Sequence, residues 1–427
     1  MSKIALVTTV VFWATTLSAD ELSYPPKLPN GDTVVTNSPD AFRRPTGPIS
    51  SDVLLPKTAP SVDFAYYPEQ NYPGNPWSVW GDSLAVNGKY YSAIGDHRAP
   101  QGNAFLFEYD PETKKFRTLV DVKKALNLPE GHYVPGKIHS RIDLGSDGWL
   151  YFATHRGSTR VTIDKYHYKG DWIIRHHPKT GKTEIIAQGP VPKHCIPTSV
   201  LDPERLIFYG GTAAGNRVDP VMFFAYDIRK RKVLHTAENG PYRYLIYSRS
   251  TGRVYYVNKD GGQLMRYDPA DGKPPVPITG KIGLRAATQE TLDGFVYTVS
   301  TRRDGSLWRF NTKTEEIENL GLAKVGTQDY ITSIDVGPTG RYLYYTPGAH
   351  GGSQKDGTPI IQFDTKLRQK KKSSRFCIRS IKRSMDTHCW EHLVRPSTRP
   401  ATNSTSPGTA IEVVWMAAGV ILLTPAR

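Results

Sequence analysis

Cysteine is scarce in this sequence of 427 residues, which contains three cysteines. Cys195 stands alone before residue 366, while Cys377 and Cys389 lie in the last part of the chain. A fold built from residues 1–365 therefore cannot depend on an internal disulfide. Long segments of helical periodicity are also lacking, and residues 120–128 are the best short candidate for a helix.

Acidic residues are in the minority, and the formal net charge is +15, a value that would suit a nucleic-acid-binding protein. The charge is unevenly distributed, because residues 366–427 carry 12 Lys or Arg against 3 Asp or Glu. Nine of the fifteen net charges therefore belong to this tail and six to the preceding 365 residues. No nucleic-acid-binding motif accompanies the charge, so we exclude nucleic acid as a partner.

The N-terminal apolar run is too short to span a bilayer, which takes roughly 20 residues. It covers residues 4–17, follows Lys3 and ends at Leu17-Ser18-Ala19, which are small or apolar residues suited to cleavage. A polar segment follows directly. We predict a signal peptide over residues 1–19, no transmembrane anchor, and a secreted or periplasmic protein.

Turn and strand formers are abundant, with 24 Tyr, 37 Gly and 33 Pro, and they indicate an all-β protein. The most informative stretch is residues 139–157, where two strand-like runs flank the turn Ser146-Asp147-Gly148. Glycine accepts the positive φ that such a hairpin turn requires. His139 with Arg141, and His155 with Arg156, lie at the two outer ends of this hairpin, and we expect them to meet at one sheet edge.

This hairpin recurs along the chain as an inner turn followed by an aromatic strand. The inner turns contain Asn87-Gly88, Asp147-Gly148, Asp202-Pro203, Thr251-Gly252, Asp293-Gly294 and Thr339-Gly340. One strand later comes an outer turn, at Tyr109-Asp110-Pro111, His176-His177-Pro178, Tyr226-Asp227, Tyr267-Asp268-Pro269, Phe310-Asn311 and Phe363-Asp364. Six units of roughly 40 to 65 residues predict a β-propeller of four-stranded blades over residues 77–365, after an extended lead-in over residues 20–76. A β-sandwich or a β-helix fits less well, because neither repeats two turn types in fixed order.

The Tyr-Asp-Pro-x-Thr-x-Lys outer turns and Asp-Gly-x-Leu-Tyr inner hairpins resemble secreted bacterial propellers of the streptogramin-lyase, YVTN and quinoprotein-like group. The resemblance covers roughly residues 77–364 and implies the propeller fold. It leaves the function open, because the group contains lyases, hydrolases, dehydrogenases and binding modules. No catalytic residue of that group aligns with this chain, so none is carried over.

After Asp364 the repeat stops, and residues 366–427 form a basic tail. One interpretation is a disordered tail. The other is a reading frame that slipped near Lys370-Lys371-Lys372, since one alternative frame across codons 402–414 permits the series Asp-Lys-Leu-Tyr-Ile-Thr-Trp-Asn-Gly-Asn-Arg-Gly-Gly. That series is an inner-hairpin strand and loop, so we expect a seventh blade lost to a frameshift. Cys377, Cys389, His388, His392 and the apparent glycosylation site at Asn403 are then accidental.

Propeller connectivity places the starts of first strands and the ends of second strands at the mouth of the central channel. The candidate ligand-binding residues found there are His97, Arg98, His139, Arg141, His155, Arg156, His194, Arg243, Arg285, Arg302, Tyr330 and His350. Histidine and arginine dominate this set.

Three functions fit these residues. The first is binding of an anionic ligand, chiefly a carbohydrate, through arginine. The second is a lyase or hydrolase that acts on an acidic glycan and holds a divalent metal on His139, His155, His194 and Gln289. Its layout is similar to that of oligogalacturonate lyases, propellers with a metal on His and Gln. The third is protein interaction by a non-catalytic propeller. A quinoprotein dehydrogenase is a further alternative that fits these residues less well.

Overall fold

The fold is all-β and is organised as a β-propeller ring, as the sequence predicted. The computed structural model describes residues 28, 31–38, 40, 53–54, 57, 59, 61–68, 76–78, 83–96, 102–260, 262–300, 305–324, 329–347, 358–376, 414–417 and 419–424. Six antiparallel sheets follow one another along the chain as blades 1 to 6. A further sheet joins strands from the two ends of the chain and is called the terminal sheet below.

The strands of each blade follow in chain order. Blade 1 contains β4 (Pro76–Ser78), β5 (Leu84–Val86), β6 (Lys89–Asp96), β7 (Ala104–Asp110) and β8 (Lys115–Asp121). Blade 2 contains β9 (Lys137–Ile138), β10 (Asp143–Leu144), β11 (Leu150–His155), β12 (Trp172–His176) and β13 (Thr183–Gln188). Blade 3 contains β14 (His194–Asp202), β15 (Ile207–Ala214), β16 (Met222–Asp227) and β17 (Lys232–Glu238). In blades 1 and 2 the first strand is split into two short pieces, both paired with the second strand.

The remaining strands complete the ring. Blade 4 contains β18 (Pro241–Tyr247), β19 (Val254–Asn258), β20 (Leu264–Tyr267) and β21 (Val276–Pro277). Blade 5 contains β22 (Ala286–Ala287), β23 (Phe295–Val299), β24 (Ser306–Asn311) and β25 (Ile317–Leu322). Blade 6 contains β26 (Ile331–Val336), β27 (Tyr342–Pro347), β28 (Thr358–Asp364) and β29 (Gln369–Phe376), to which β2 (Val53–Leu54) adds a parallel strand. The terminal sheet contains β1 (Val34–Asn37), β3 (Ser61–Tyr66), β30 (Val414–Ala417) and β31 (Gly419–Thr424).

Helix is confined to short segments in the described residues. One is α1, Val122–Leu126, within the range that the sequence predicted, and Asp121 caps it by accepting a hydrogen bond from the backbone N–H of Lys124. The other is a 3-10 turn, Asp164–Tyr166. Neither is long and apolar enough to cross a membrane.

The hydrophobic core lies between the faces of neighbouring blades. One cluster joins blades 1 and 2, the next joins blades 2 and 3, another joins blades 3 and 4, and the largest spans blades 4 to 6. Large aromatic side chains fill these interfaces, and Tyr151, Phe208 and Tyr255 are fully buried. Each blade therefore depends on its neighbours for burial, as in other repeat folds.

The outer turns share one hydrogen-bonding device. In blade 1 the carboxylate of Asp110 accepts hydrogen bonds from the backbone N–H groups of Glu112 and Thr113, at 3.0 and 3.3 Å. In blade 6 Asp364 accepts from Lys366 and Leu367 at 2.9 and 3.0 Å. A short acidic or amide side chain closes a turn by binding its own backbone, which is why five of the six outer turns carry Asp or Asn here. In blade 2, Nδ1 of His177 accepts the hydrogen bond instead, from the backbone N–H of Thr180 at 3.2 Å.

Part of the segment predicted as an extended lead-in forms strands. β1 pairs antiparallel with β3, and β3 also pairs with β31 near the other end of the chain. The strand order is β1-β3-β31-β30. Residues 377–413, including the cysteines, histidines and glycosylation site named above for the tail, lie outside the described residues, as do residues 1–27 with the predicted signal peptide.

Candidate functional site

The first strands of successive blades contact one another around the ring: β14 contacts β18, β18 contacts β22, and β22 contacts β26. Residues at the starts of these strands are therefore neighbours although they are far apart in sequence. In blade 2, β9 pairs with the end of β11, and Lys137 lies opposite His155. The hairpin thus brings its two ends together at one edge of the sheet, as its sequence predicted.

His139 and His155 form a pair of contacting imidazoles, with ring centroids 5.3 Å apart. Nδ1 of His139 lies 2.8 Å from the carbonyl oxygen of Pro197, and Nδ1 of His155 lies 2.6 Å from that of Arg156. A carbonyl oxygen only accepts hydrogen bonds, so each Nδ1 carries the hydrogen and donates it. In the neutral state, Nε2 of each ring is therefore the atom that carries a lone pair.

Both rings are neutral at physiological pH. Burial, assisted by the positive charges of Lys137, Arg243 and Arg285, lowers the pKa of His139 to about 3. Burial also lowers the pKa of His155 well below its usual value, again assisted by Lys137. The pair therefore acts as a hydrogen-bond acceptor or ligand rather than as a charged group.

Lys137 belongs to this site, although the sequence analysis did not include it. Its side chain is 7% exposed, and burial is the main cause that lowers its pKa to about 8. The charges of Arg156 and Arg243 contribute to this lowering. The signal that would have found it is the spacing of Lys137, His139 and Arg141 at every second residue, which places them on one side of an extended segment.

Cations from other blades face the same space. Arg243 is exposed on β18 of blade 4, and it depresses the pKa of both Lys137 and His139. Arg285, just before β22 of blade 5, depresses the pKa of His139 and donates a hydrogen bond through Nε to the hydroxyl of Tyr330 at 3.1 Å. Basic side chains from three blades therefore converge on the histidine pair.

Arg141 follows His139 on the same segment and forms an ion pair with Asp143. Its Nε is 3.5 Å from a carboxylate oxygen of Asp143, and its guanidinium carbon is 5.6 Å from the ring centroid of Tyr244 in blade 4. The Tyr244 hydroxyl donates to the carbonyl oxygen of Ala287 in blade 5 at 3.1 Å. These contacts hold blades 2, 4 and 5 together around the channel.

Two predicted site residues, Arg156 and His194, form hydrogen bonds within and between blades 2 and 3. Arg156 donates from Nη1 to the carbonyl oxygen of Ala214 at 2.8 Å and contacts Cys195 Sγ at 2.8 Å, which ties blade 2 to blade 3. His194 is 6% exposed, and its Nδ1 lies 2.8 Å from the hydroxyl of Thr212 in its own blade. Burial raises the pKa of Cys195 to about 12, so its thiol is not a nucleophile at neutral pH.

Gln289 lies apart from the histidine pair. Its side-chain oxygen accepts a hydrogen bond of 2.8 Å from Arg249, which sits in the inner turn of blade 4. That turn lies at the opposite end of the strands from the channel mouth. Four other predicted residues, His97, Arg98, Arg302 and His350, lie outside the described residues.

The described residues do not fit a metal centre. No group of three or more His, Cys, Asp or Glu side chains in the described part of the chain is placed to hold a metal ion. The two imidazoles that do meet are surrounded by Lys137, Arg243 and Arg285, whose charges repel a divalent cation. The same charges attract an anion.

Comparison with known proteins defines the fold. No protein family and no curated protein matches the sequence. Among solved structures, oligogalacturonate lyase from Vibrio parahaemolyticus is similar at a TM-score of 0.53 and 12% identity, covering 92% of this chain and 97% of that one. A chain of the Mitotic Checkpoint Complex is similar at a TM-score of 0.50 and 12% identity, covering 89% and 98%. Proteins of such different function share this architecture, so the likeness defines a propeller and no activity.

Proposed function

We propose that this protein binds an anionic ligand, an acidic carbohydrate, at the mouth of its central channel, and that it acts outside the cytoplasm. The observation that carries the proposal is the convergence of Lys137, Arg243 and Arg285 from blades 2, 4 and 5 on the neutral pair His139 and His155. Like charges placed together in a folded protein cost free energy. An anionic ligand offsets that cost when it binds.

The chemistry of each group suits a carboxylate-bearing sugar. Guanidinium groups bind carboxylates through paired hydrogen bonds, and a buried ammonium adds a charge-assisted bond of about 1.5–3 kcal/mol. The neutral imidazoles offer Nε2 atoms that accept hydrogen bonds from sugar hydroxyls. Arg141, already paired with Asp143, contributes less.

Titration calorimetry of the full chain tests the proposal with an oligogalacturonide and with a neutral oligosaccharide of the same length. We expect binding of the acidic oligosaccharide alone, and weaker binding at high salt because the charges are then screened. Equal binding of the two sugars, or binding that salt does not change, would contradict the proposal.

A second candidate function is a lyase reaction on the same ligand, and Lys137 favours it. An amine with a pKa of about 8 is partly neutral near physiological pH and can accept a proton. Removal of the proton on the carbon next to the uronate carboxylate forms a C=C bond as the glycosidic C–O bond breaks, and water protonates the departing oxygen. Incubation of the protein with polygalacturonate, followed by mass spectrometry, tests the lyase reaction. An unsaturated oligosaccharide is the expected product. Intact substrate would contradict the lyase reaction and would support ligand binding alone.

A further inference from the structure

Asp171 is a fully buried carboxylate directly before β12, the third strand of blade 2. It accepts hydrogen bonds from three hydroxyl groups, those of Thr154 at 2.6 Å, Tyr133 at 3.0 Å and Tyr168 at 3.2 Å. Burial raises the pKa of Asp171 to about 6, and the three donors oppose that rise, so the carboxylate is largely ionised at pH 7. A buried charge of this kind depends on its donors, because no water replaces a donor that moves away.

Two of the three donors belong to segments that carry residues of the channel-mouth site. Thr154 directly precedes His155 on β11, and Tyr133 lies four residues before Lys137, in the connection that leads into β9. Lys137 and His155 lie opposite each other where β9 pairs with β11. The carboxylate of Asp171 therefore joins the two strands whose separation sets the distance between the buried lysine and the histidine pair.

The backbone of Asp171 extends the connection to blade 3. Its N–H donates to the carbonyl oxygen of His194 at 3.0 Å, and its carbonyl oxygen accepts from the N–H of Gly189 at 2.7 Å. His194 is the first residue of β14. One residue thus contacts the start of β9, the end of β11 and the start of β14.

The backbone of Lys137 has little room in which to move. Gly95 on β6 of blade 1 approaches it so closely that an added Cβ at Gly95 would overlap the Cβ of Lys137. An added Cβ at Gly136 would overlap the backbone of Asp96 on one side and of Gly157 on the other. Because the backbones of blades 1 and 2 meet here, a shift of β9 moves the ammonium group relative to the histidine pair.

The third donor belongs to a segment that carries none of the site residues named above. Tyr168 lies in the connection over residues 157–170 and packs against Gly215 of blade 3, where an added Cβ would overlap its ring. In other respects Tyr133 and Tyr168 are alike. Each is 2% exposed, their ring centroids are 4.7 Å apart, and both hydroxyls bind the same carboxylate. The two tyrosines therefore differ in the segment that they connect to Asp171.

We propose that Asp171 is the positioning residue of the channel-mouth site. Through Tyr133 and Thr154 its carboxylate fixes the ammonium group of Lys137 relative to the imidazole of His155, and so sets the spacing of the cation and the acceptor that an acidic carbohydrate meets. Asp171 acts through these residues and does not itself contact the ligand. This inference rests on the proposed function and names the residue that holds that site in shape.

Tyr133→Phe and Tyr168→Phe are a matched pair of variants for calorimetry with the oligogalacturonide. Each removes one hydroxyl and keeps the ring, so we expect similar losses of stability. Affinity should fall about tenfold in Tyr133→Phe, the scale of one hydrogen bond to a charged group, and should be unchanged in Tyr168→Phe. Equal affinities of the two variants, whether both are reduced or both match the wild-type protein, would overturn the positioning role.

Thr154 supplies a second and independent test with its own conservative control. Thr154→Val removes the hydroxyl at nearly constant volume and should reduce affinity as Tyr133→Phe does. Thr154→Ser keeps the hydroxyl and should restore the affinity of the wild-type protein. A Thr154→Ser variant that binds as weakly as Thr154→Val would show that packing of the methyl group, rather than the bond to Asp171, is what the site requires, and would overturn the proposal.

A measurement without ligand separates this inference from the proposed function. In protein labelled with isotopic nitrogen at histidine, the NMR signals of the ring nitrogens report the hydrogen bonds of His139 and His155. Tyr133→Phe should shift the His155 signals, and Tyr168→Phe should leave them in place. Signals that respond equally to both variants would overturn the positioning role even if the oligosaccharide binds. The expected shifts together with no binding to the wild-type protein would overturn the proposed function alone.

Discussion

The arrangement of charged side chains differs between the two ends of the blades. At the turn end, cations at the start of second strands pair with carboxylates of the outer turns: Lys89 with Asp110 and Arg253 with Asp268. At the channel end, Lys137, Arg243 and Arg285 lie close enough to His139 to depress its pKa together. The convergence of like charges on one pair of neutral imidazoles is the observation on which the proposed ligand site rests.

Removal of charge at the channel mouth should have the largest effect on binding. We expect Lys137→Met and Arg243→Gln each to weaken binding of an acidic oligosaccharide by roughly 10- to 100-fold, because each removes a charge-assisted hydrogen bond. The melting temperature should stay the same or rise, since like charges are separated. Calorimetry and thermal unfolding measure the two quantities.

Arg249→Gln is the matched control for these variants, because Arg249 is an exposed arginine at the turn end of blade 4. Its removal should leave binding unchanged. His235→Ala, on the outermost strand β17, should also leave binding unchanged, whereas His139→Ala and His155→Ala should reduce it sharply. A loss of affinity in Arg249→Gln or His235→Ala would place the binding surface elsewhere.

Strain at the turn end should affect stability without affecting binding. Gly148 has a φ of +81°, and a Cβ added there would meet no atom closer than 3.6 Å, so we expect the cost of Gly148→Val to come chiefly from the backbone conformation. A β-branched residue at positive φ should lower the free energy of unfolding by about 1–3 kcal/mol. Gly148→Asn should lower it less, because asparagine tolerates this conformation. Denaturant unfolding measures both, and equal stability of all three proteins would contradict the turn geometry.

The depressed pKa of Lys137 predicts a pH dependence of binding. The ammonium is largely charged at pH 7 and largely neutral at pH 9, because its pKa is about 8. Affinity for the acidic ligand should therefore fall about tenfold per unit of pH above that value. Lys137→Arg keeps its charge over this range and should bind with little pH dependence. A wild-type affinity that is flat from pH 7 to 9 would remove Lys137 from the site.

The depressed pKa of Lys137 also affects the stability of the fold, which should increase with pH where ligand binding decreases. The unfolded lysine has a pKa near 10.4, so between about pH 8 and 10.4 the unfolded chain binds more protons than the folded one. The contribution of Lys137 to folding therefore becomes more favourable as pH rises through this window. Unfolding of Lys137→Met should lack this contribution.

The smallest effect is expected at a paired charge. Arg253 and Asp268 form a partly exposed ion pair of 3.0 Å. Arg253→Gln should lower the free energy of unfolding by about 0.2–1 kcal/mol, the range for such pairs, and should leave ligand binding unchanged. If this variant weakens binding as much as Arg243→Gln, then the contrast between the two ends of the blades is wrong.

Local patterns predicted the blades, because each blade is built from turns and strands that are close in sequence. The Asp of an outer turn bonds its own backbone, so its position is readable from residues such as Asp110 and Asp364. The meeting of His139 and His155 followed from one hairpin for the same reason.

Contacts between segments that are distant in sequence could not be predicted from the sequence. Arg156 binds the carbonyl oxygen of Ala214, and β3 pairs with β31, and neither contact leaves a local pattern. The hydrogen bond from Arg249 to Gln289 was not predicted either, because the short strand β22 gives few residues from which to judge which end faces the channel. Lys137 was missed because lysine is common on surfaces, and only its alternation with His139 and Arg141 marks it.

The most direct test of the central claim is the location of the bound ligand. Hydrogen exchange of the full chain, with and without a saturating acidic oligosaccharide, maps the backbone that the ligand protects. We expect protection of residues 137–141, 241–245 and 284–287, which start the first strands of blades 2, 4 and 5. Protection confined to the inner and outer turns at the opposite end of the blades would contradict a ligand site at the channel mouth.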